Sequence, residues 1–177
     1  MVRIRPAIVD DALAIATVQV KAWRATYPGI LPDEIIDGLT VESRCRAWDR
    51  ALRRETRWVP WVSVAEIDQE IVGFASGGMI RHSLQHFDAE LYAIYLLPDA
   101  QGRGVGRQLV GEISRTLVTQ RFRAMIVQVL ARNPACQFYE RLGASLLNED
   151  PLTIEGREFP GRCYGWANLD HLGQGIG

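Results

Sequence analysis

An apolar run from residue 91 to residue 97 stops at Pro98, and a glycine-rich turn then leads into an amphipathic segment. This order predicts a strand, a tight turn and the N-terminus of a helix. The turn carries Gly102, Arg103, Gly104, Gly106 and Arg107. The first amides of a helix have no intrahelical acceptor and lie at the positive end of its dipole, where glycines let an anion approach. The simplest ligand for this turn is a phosphate or pyrophosphate group.

The spacing of the glycines decides between the phosphate-binding turns it could form. Dinucleotide-binding turns follow G-x-G-x-x-G, and that pattern fails because residue 107 is arginine. A P-loop ends in Gly-Lys-Ser/Thr, and the only lysine of this chain is Lys21. What remains is Gln101-x-x-Gly104-x-Gly106 after a strand that ends in proline. The alternative is a glycine-rich turn that binds nothing.

Length and charge limit the classes of protein to consider. With 177 residues, 47% of them hydrophobic and 23% charged, the chain suits one domain over residues 1–177. Its net charge of −1 gives no bulk affinity for nucleic acid or anionic membranes. Three scattered cysteines argue against a disulfide framework and a Cys-x-x-Cys metal site. Without a signal sequence or a long apolar run, we expect a cytoplasmic protein.

Apolar periodicity predicts strands and helices in alternation along the chain. Residues 2–7 alternate as a strand does, and a helix capped by Asp10 or Asp11 follows. Further expected elements are a polar helical region at about 33–54, a hairpin of 61–67 and 71–80, a strand at 90–97, a helix at 105–119, a strand at 124–131, a helix at 134–142, and two strands, 144–154 and 162–169, around the Glu155-Gly156 turn.

A second motif, Asn133-Pro-Ala-Cys-Gln-Phe138-Tyr139-Glu-Arg-Leu-Gly143, lies one strand beyond the turn. Together with Gln101-x-x-Gly104-x-Gly106, it resembles the GCN5-related N-acetyltransferase (GNAT) family, and the resemblance covers nearly the whole chain. It implies an α/β fold with a single mixed, mostly antiparallel sheet of about seven strands flanked by about four helices. It also implies acetyl-CoA as cosubstrate and no metal.

The resemblance also implies roles for particular residues. Cofactor contacts are expected at Leu96, Leu97, Gln101, Gly102, Arg103, Gly104, Val105, Gly106, Arg107 and Asn133. Asn133 would contact the pantetheine arm, and the Tyr139 hydroxyl would lie near the thioester sulfur and protonate the departing thiolate. Strand backbone around residues 94–96 would pair with the pantetheine amides and meet the oxyanion. The reaction would be direct attack in a ternary complex, so Cys136 is interpreted as a packing residue.

Acetyl transfer to an amine also needs the amine in its neutral form. At an ordinary amine pKa of ~10, about one molecule in a thousand is neutral at pH 7, so a base is useful. Glu90, at the start of the strand before Pro98, is the candidate base and matches the position of a catalytic glutamate in some family members. An exposed strand-end glutamate, or an anchor for a water network, is an equal alternative.

The acceptor is expected to be a primary amine of a small molecule, a peptide or a protein, and the sequence does not identify it. Candidates near its cleft are Trp23, Tyr27, Asp33, Glu34, Asp37, His82, His86 and Phe159. For Trp23 and Tyr27 a core position is expected ahead of a cleft wall, and for the two histidines the surface ahead of a metal pair. A catalytically silent CoA-binding module and a purely structural domain are the alternatives. Homodimers are common in such folds, and no feature here decides for or against one.

Overall fold

The structure, a computed structural model, describes residues 1–170 and residue 172. Within them the chain forms five α-helices, three of which precede the second strand. They are α1 (Ala12–Thr26), α2 (Asp33–Gly38), α3 (Val41–Leu52), α4 (Val105–Thr119) and α5 (Ala135–Arg141). The bounds of α4 are those expected from the sequence, since its amphipathic pattern begins directly after the glycine-rich turn.

Seven of the strands form one sheet, which confirms the expected mixed α/β architecture. The strands are β1 (Val2–Pro6), β2 (Trp61–Ile67), β3 (Glu70–Leu84), β4 (Phe87–Leu96), β5 (Met125–Leu130), β6 (Ser145–Asn148), β7 (Leu152–Ile154), β8 (Arg157–Phe159) and β9 (Gly161–Trp166). The order in the sheet is β1-β2-β3-β4-β5-β9-β6, and β7 pairs with β8 apart from it. Every pair in the sheet is antiparallel except β4 with β5.

Helices cover both faces of the sheet and bury its apolar side chains. On one face α4 turns Leu109, Ile113 and Leu117 inward, each with no exposed surface, and α5 packs beside it. On the other face Ile15 of α1 packs against Phe74 of β3. Burial of such side chains contributes about 1.5–3 kcal/mol each, so these two clusters fix the positions of the helices relative to the strands.

The helical region predicted at about 33–54 is two helices, α2 and α3, rather than one. The break lies at Leu39 and Thr40, where the backbone is extended. The Thr40 hydroxyl accepts a hydrogen bond from the Ser43 N–H at 3.2 Å, which caps α3. The sequence contains this cap, yet the uniform polarity of the segment concealed it.

The last part of the sheet also differs from the expectation. The Glu155-Gly156 turn joins the short strands β7 and β8, and it does not join the two strands predicted at 144–154 and 162–169. Pro151 offers no N–H to a ladder, so the strand that begins at Ser145 stops at Asn148. After β8 the chain returns as β9, which lies between β5 and β6. The region predicted to form two strands therefore forms four, β6 to β9.

Candidate active site

Strands β4 and β5 pair over only three residues and then separate. Ala89, Glu90 and Leu91 are in register with Met125, Ile126 and Val127, and beyond them the strands diverge. The space between them is the floor of a groove of about 860 Å³, which is lined by residues 92–96 on one side and 127–130 on the other. On these facing edges, the backbone groups that would continue the ladder have no strand partner. Such edges can pair with the backbone-like amides of an extended ligand.

A β-bulge at Tyr92 marks the point where β4 turns away from β5. Leu91 pairs with Gly77 and Ala93 pairs with Ser76, so Tyr92 is the extra residue. A bulge bends its strand and increases the local twist, which accounts for the separation of the two strands directly after it. The Tyr92 hydroxyl donates to the Met79 carbonyl oxygen at 2.5 Å and holds the bulge against β3.

The glycine-rich turn closes one end of the groove. Gly102 and Gly104 have φ angles of +71° and +77°, in the left-handed region that favours glycine. A Cβ atom at either position would meet no protein atom within 4 Å, so both face open space. The first hydrogen bond of α4 runs from the Gln108 N–H to the Gly104 carbonyl oxygen at 3.1 Å. Amides before Gln108 therefore point outward at the positive end of the helix, as an anion site requires.

The glycine-rich turn is held in place by the packing of α4 on α5 and by a hydrogen bond to β4. A Cβ atom on Gly106 would lie 3.1 Å from the Phe138 ring, so a larger residue there would require this ring to shift by a few tenths of an ångström. The Gln101 amide donates to the Leu96 carbonyl oxygen at 3.3 Å and ties the turn to the end of β4. The first glycine-rich motif and the second motif, which contains Phe138, are thus in direct contact.

Seven of the ten residues expected to contact a cofactor line the groove: Leu96, Gln101, Gly102, Gly104, Gly106, Arg107 and Asn133. The other three do not line it. Leu97 packs against the cluster that contains Ile15 and Phe74, Val105 is the fully buried first residue of α4, and the Arg103 side chain is exposed. For these three, only backbone amides or the exposed Arg103 side chain could meet a ligand. The ligand contacts themselves stay predictions.

Tyr139 combines a buried ring with a hydroxyl at the groove. Its side chain is 5% exposed and packs against the rings of Phe138, Tyr164 and Trp166. The residue also lines the groove. Burial raises the pKa of Tyr139 above its ordinary value, so the hydroxyl keeps its proton throughout the neutral range.

A network of aromatic side chains, which sequence reasoning did not assemble, lines the groove opposite the turn. The Trp23 indole donates to the Tyr95 hydroxyl at 2.9 Å, and the Trp23 and Tyr27 ring centroids are 4.6 Å apart. Burial raises the pKa of Tyr27, and the neighbouring Tyr95 raises it further. Tyr27 is a buried core residue against whose cluster Trp23 packs, as expected, and both residues also line the groove. The available signal for Tyr95 was its hydroxyl in an apolar strand, since a buried tyrosine hydroxyl needs a partner.

Asn133 joins this network to α5. Its side-chain oxygen accepts a hydrogen bond at 2.9 Å from the N–H of Ala135, the first residue of α5. Its amide nitrogen donates to the Tyr27 hydroxyl at 3.3 Å. Both ends of the side chain are thus bonded within the protein, and Asn133 fixes the mouth of the groove whether or not it also contacts a ligand.

Glu90 is held by an arginine. The carboxylate is 1% exposed and accepts hydrogen bonds from the Arg81 side chain at 2.5 and 3.0 Å and from the Arg81 backbone N–H at 3.2 Å. The Arg81 guanidinium also lies 4.7 Å from the centroid of the Tyr92 ring. Glu90 does not line the groove. Its role as a base stays a prediction, and Glu90 would have to release Arg81 before it could accept a proton.

The remaining acceptor candidates are dispersed. Asp33, Asp37, His82 and His86 have exposed side chains, and Phe159 packs against the cluster around Tyr27. Glu34 lines a second cleft of about 460 Å³, which meets the groove at Trp23 and Ile154. In the described residues no three His, Cys, Asp or Glu side chains are grouped as metal ligands. None of the described helices combines the length and the apolar character that crossing a membrane requires.

Comparison with known proteins identifies relatives of the chain. The model of the acetyltransferase (GNAT) family matches residues 21–144. An N-acetyltransferase of Bacillus subtilis (strain 168), YuaI, named as uncharacterised, is 34% identical over 173 residues, 97% of this chain and 96% of its own. Among solved structures, the PaiA N-acetyltransferase from Thermoplasma acidophilum in complex with coenzyme A has a TM-score of 0.70 at 21% identity, covering 92% of this chain and 98% of its own. YncA from Salmonella typhimurium, with its cofactor acetyl-CoA, has a TM-score of 0.69 at 22% identity, covering 96% and 95%.

Proposed function

Because this chain belongs to the acetyltransferase (GNAT) family, we propose that it transfers an acetyl group from acetyl-CoA to a primary amine of a small molecule or peptide. The observation that carries the proposal is the open edge between β4 and β5, which leads to the free amides of the glycine-rich turn. One continuous groove thus offers pairing for an extended amide-containing arm and a positive end for a pyrophosphate.

The dimensions and chemistry of the groove fit acetyl-CoA. A volume of about 860 Å³ lies within the range of cofactor sites. The amides of residues 102–107 and the Arg107 side chain would hold the pyrophosphate, and the backbone of residues 92–96 would hold the pantetheine arm. When bound, acetyl-CoA supplies an acetyl group activated as a thioester. No covalent enzyme nucleophile is required, and buried Cys136 stays a packing residue.

Tyr139 is proposed as the proton donor to the departing sulfur. As the amine nitrogen bonds to the acetyl carbon and the carbon–sulfur bond breaks, negative charge develops on sulfur and the Tyr139 hydroxyl donates to it. The raised pKa of Tyr139 keeps the proton available at every pH near neutrality. An aromatic wall of Trp23, Tyr27 and Tyr95 would exclude water from the acceptor amine.

Glu90 is proposed as the base that takes a proton from the acceptor amine, after Arg81 moves aside. The same ion pair is the observation that favours the second candidate function, a catalytically silent CoA-binding module. A carboxylate permanently held by Arg81 would leave the groove with a proton donor and no base among its lining residues. Both functions predict that acetyl-CoA binds, and only the first predicts that its acetyl group is transferred to an amine.

Calorimetry with acetyl-CoA, followed by thiol release against a panel of amines, tests the proposal. Micromolar binding with thiol release for one class of amines is expected. Binding without release for any amine would favour the silent module. If acetyl-CoA does not bind, both candidate functions are contradicted and the glycine-rich turn has only a structural role.

A further inference from the structure

The second cleft contains an arginine whose hydrogen-bonding capacity is not used. Arg44 of α3 lines this cleft, and its Nε atom is buried without a hydrogen-bond partner among the residues that the structure describes. A buried donor without an acceptor costs about 1–3 kcal/mol, so such a group is expected to find a partner in the functional state. Arg44 therefore points to a ligand that accepts hydrogen bonds and carries negative charge.

The cleft adjoins the groove. Trp23 and Ile154 line both spaces, so a ligand in the cleft would lie next to the groove in which acetyl transfer is proposed. Burial raises the pKa of the Tyr95 hydroxyl, and this hydroxyl accepts a hydrogen bond at 2.9 Å from the indole of Trp23. Arg44 lines the cleft, Tyr95 and Tyr139 line the groove, and Trp23 lines both. An anion on Arg44 would belong to the acceptor rather than to the cofactor.

The other charges of the cleft leave Arg44 available. Glu34 is paired with Arg157 at 2.7 Å, so each cancels the charge of the other. Glu155 has an exposed side chain on the tight turn between β7 and β8. Ser43 also lines the cleft, and its hydroxyl donates to the Thr40 carbonyl oxygen at 3.0 Å. The volume of the cleft, about 460 Å³, suits a small molecule and is within the usual range of ligand sites.

We propose that Arg44 binds a carboxylate of the acceptor, and that the acceptor is therefore a small amine that also carries a carboxylate, as a free amino acid does. A guanidinium binds a planar carboxylate through paired N–H groups, and Nε is one of the nitrogens that such pairing uses. The carboxylate on Arg44 directs the amine into the groove toward Tyr139. This inference rests on the proposed acetyl transfer and narrows its substrate class.

The experiment measures thiol release with a set of free L-amino acids and with the corresponding amino acid amides. Rates are compared per neutral amine, because the amides lose their ammonium proton at lower pH. The expected result is a higher kcat/KM for the acids than for their amides. In Arg44→Met, KM for the acids should rise roughly ten- to hundredfold, the range for a lost charged hydrogen bond. The kcat, the KM of the amides and acetyl-CoA affinity should stay unchanged.

Two further variants separate recognition from structure. Arg46→Met removes an exposed arginine of the same helix that is paired with Glu42 outside the cleft, and it should leave every constant unchanged. Arg44→Lys keeps the charge without the planar fork and should recover part of the lost affinity. Equal kcat/KM for acids and amides, equal effects of Arg44→Met on both series, or no acetylation of any acid by a protein that binds acetyl-CoA would overturn the inference. Absence of acetyl-CoA binding would instead contradict the proposed function.

Discussion

The two ends of the groove are built in different ways. At the turn, the candidate ligand groups are backbone amides of six consecutive residues, 102–107, and their arrangement follows from two left-handed glycines and a helix start. At the acceptor end, the candidate groups are side chains from four separate elements. Trp23 of α1, Tyr95 of β4 and Tyr139 of α5 line the groove, and Arg44 of α3 lines the adjoining cleft.

This difference determines how each end responds to substitution. A backbone site depends on a few positions where any side chain interferes with the ligand, so single changes should abolish binding. A side-chain site divides its task among several groups, so single changes should alter rate or affinity by smaller factors. The predictions that follow test this contrast, beginning with the largest expected effect.

Gly104→Asp should reduce acetyl-CoA affinity by a hundredfold or more, since the carboxylate would stand among the amides that face the pyrophosphate. The protein should still fold, because the new Cβ meets no protein atom within 4 Å and the left-handed backbone costs roughly 1–2 kcal/mol. Calorimetry measures the affinity. Gly156→Asp is the matched control, with a φ of +74° at another turn, and should bind normally. Unchanged affinity in Gly104→Asp would refute the assignment of the turn.

Tyr139→Phe should lower kcat by roughly a hundredfold, the lower end of general acid catalysis, while acetyl-CoA affinity is nearly kept. The ring packing remains, and only the hydroxyl at the groove is lost. Tyr164→Phe is the control, because its hydroxyl bonds to Glu140 at 2.7 Å within the same aromatic cluster. Steady-state kinetics with a fixed amine gives both constants. A loss of kcat below about twofold would make Tyr139 a core residue only.

Glu90→Gln should depress the rate chiefly at lower pH, where the amine is mostly protonated and depends most on a base. The effect should be below the roughly hundredfold typical of general-base catalysis, because desolvation in the groove shares the task. Arg81→Gln removes the same ion pair and keeps the carboxylate, so it controls for lost structure. The measurement is a pH–rate profile. A Glu90→Gln profile parallel to that of the parent would leave Glu90 as a partner of Arg81 alone.

The smallest effect is expected on stability, from the ion pair that holds the start of α1. This helix carries Trp23, which lines the acceptor end of the groove. Arg5 bonds to the Asp11 carboxylate at 2.7 and 2.9 Å and lowers the pKa of Asp11 below its ordinary value. A depressed carboxyl pKa stabilises the fold above the unfolded value near ~4, and this stability is lost as pH falls through the folded pKa.

Asp11→Asn should therefore reduce the free energy of unfolding by about 2 kcal/mol at pH 7, and the difference from the parent should shrink below about pH 4. Urea unfolding across this pH range measures it. The neighbouring exposed Asp10 supplies the control as Asp10→Asn, which should change little. A difference that is constant with pH would show that the Asp11 charge is not the cause.

What could be predicted from the sequence follows the same contrast. The turn at Gln101–Gly106 and helix α4 were predictable because their determinants are contiguous and local. The family was identified from two short motifs, and the family model and a relative at 34% identity confirm it. The third helix and the β7–β8 hairpin were missed because a cap at Thr40 and a break at Pro151 are weak signals inside uniform segments.

The acceptor end resisted prediction for a physical reason. Arg81 and Glu90 meet because β3 and β4 pair in a particular register, which begins at a two-residue turn with irregular pairing beside it. Tyr95 and Arg44 become site residues only when α1 and α3 pack on the sheet. The spacing of residues along the chain does not predict these contacts, because they depend on how whole helices and strands pack.

A crystal structure with acetyl-CoA bound tests the central claim most directly. The account predicts pyrophosphate oxygens within hydrogen-bond distance of the amides of residues 102–107, a pantetheine arm between β4 and β5, and the thioester sulfur beside the Tyr139 hydroxyl. An acetyl-CoA molecule bound elsewhere, with the edges of β4 and β5 unoccupied, would contradict it.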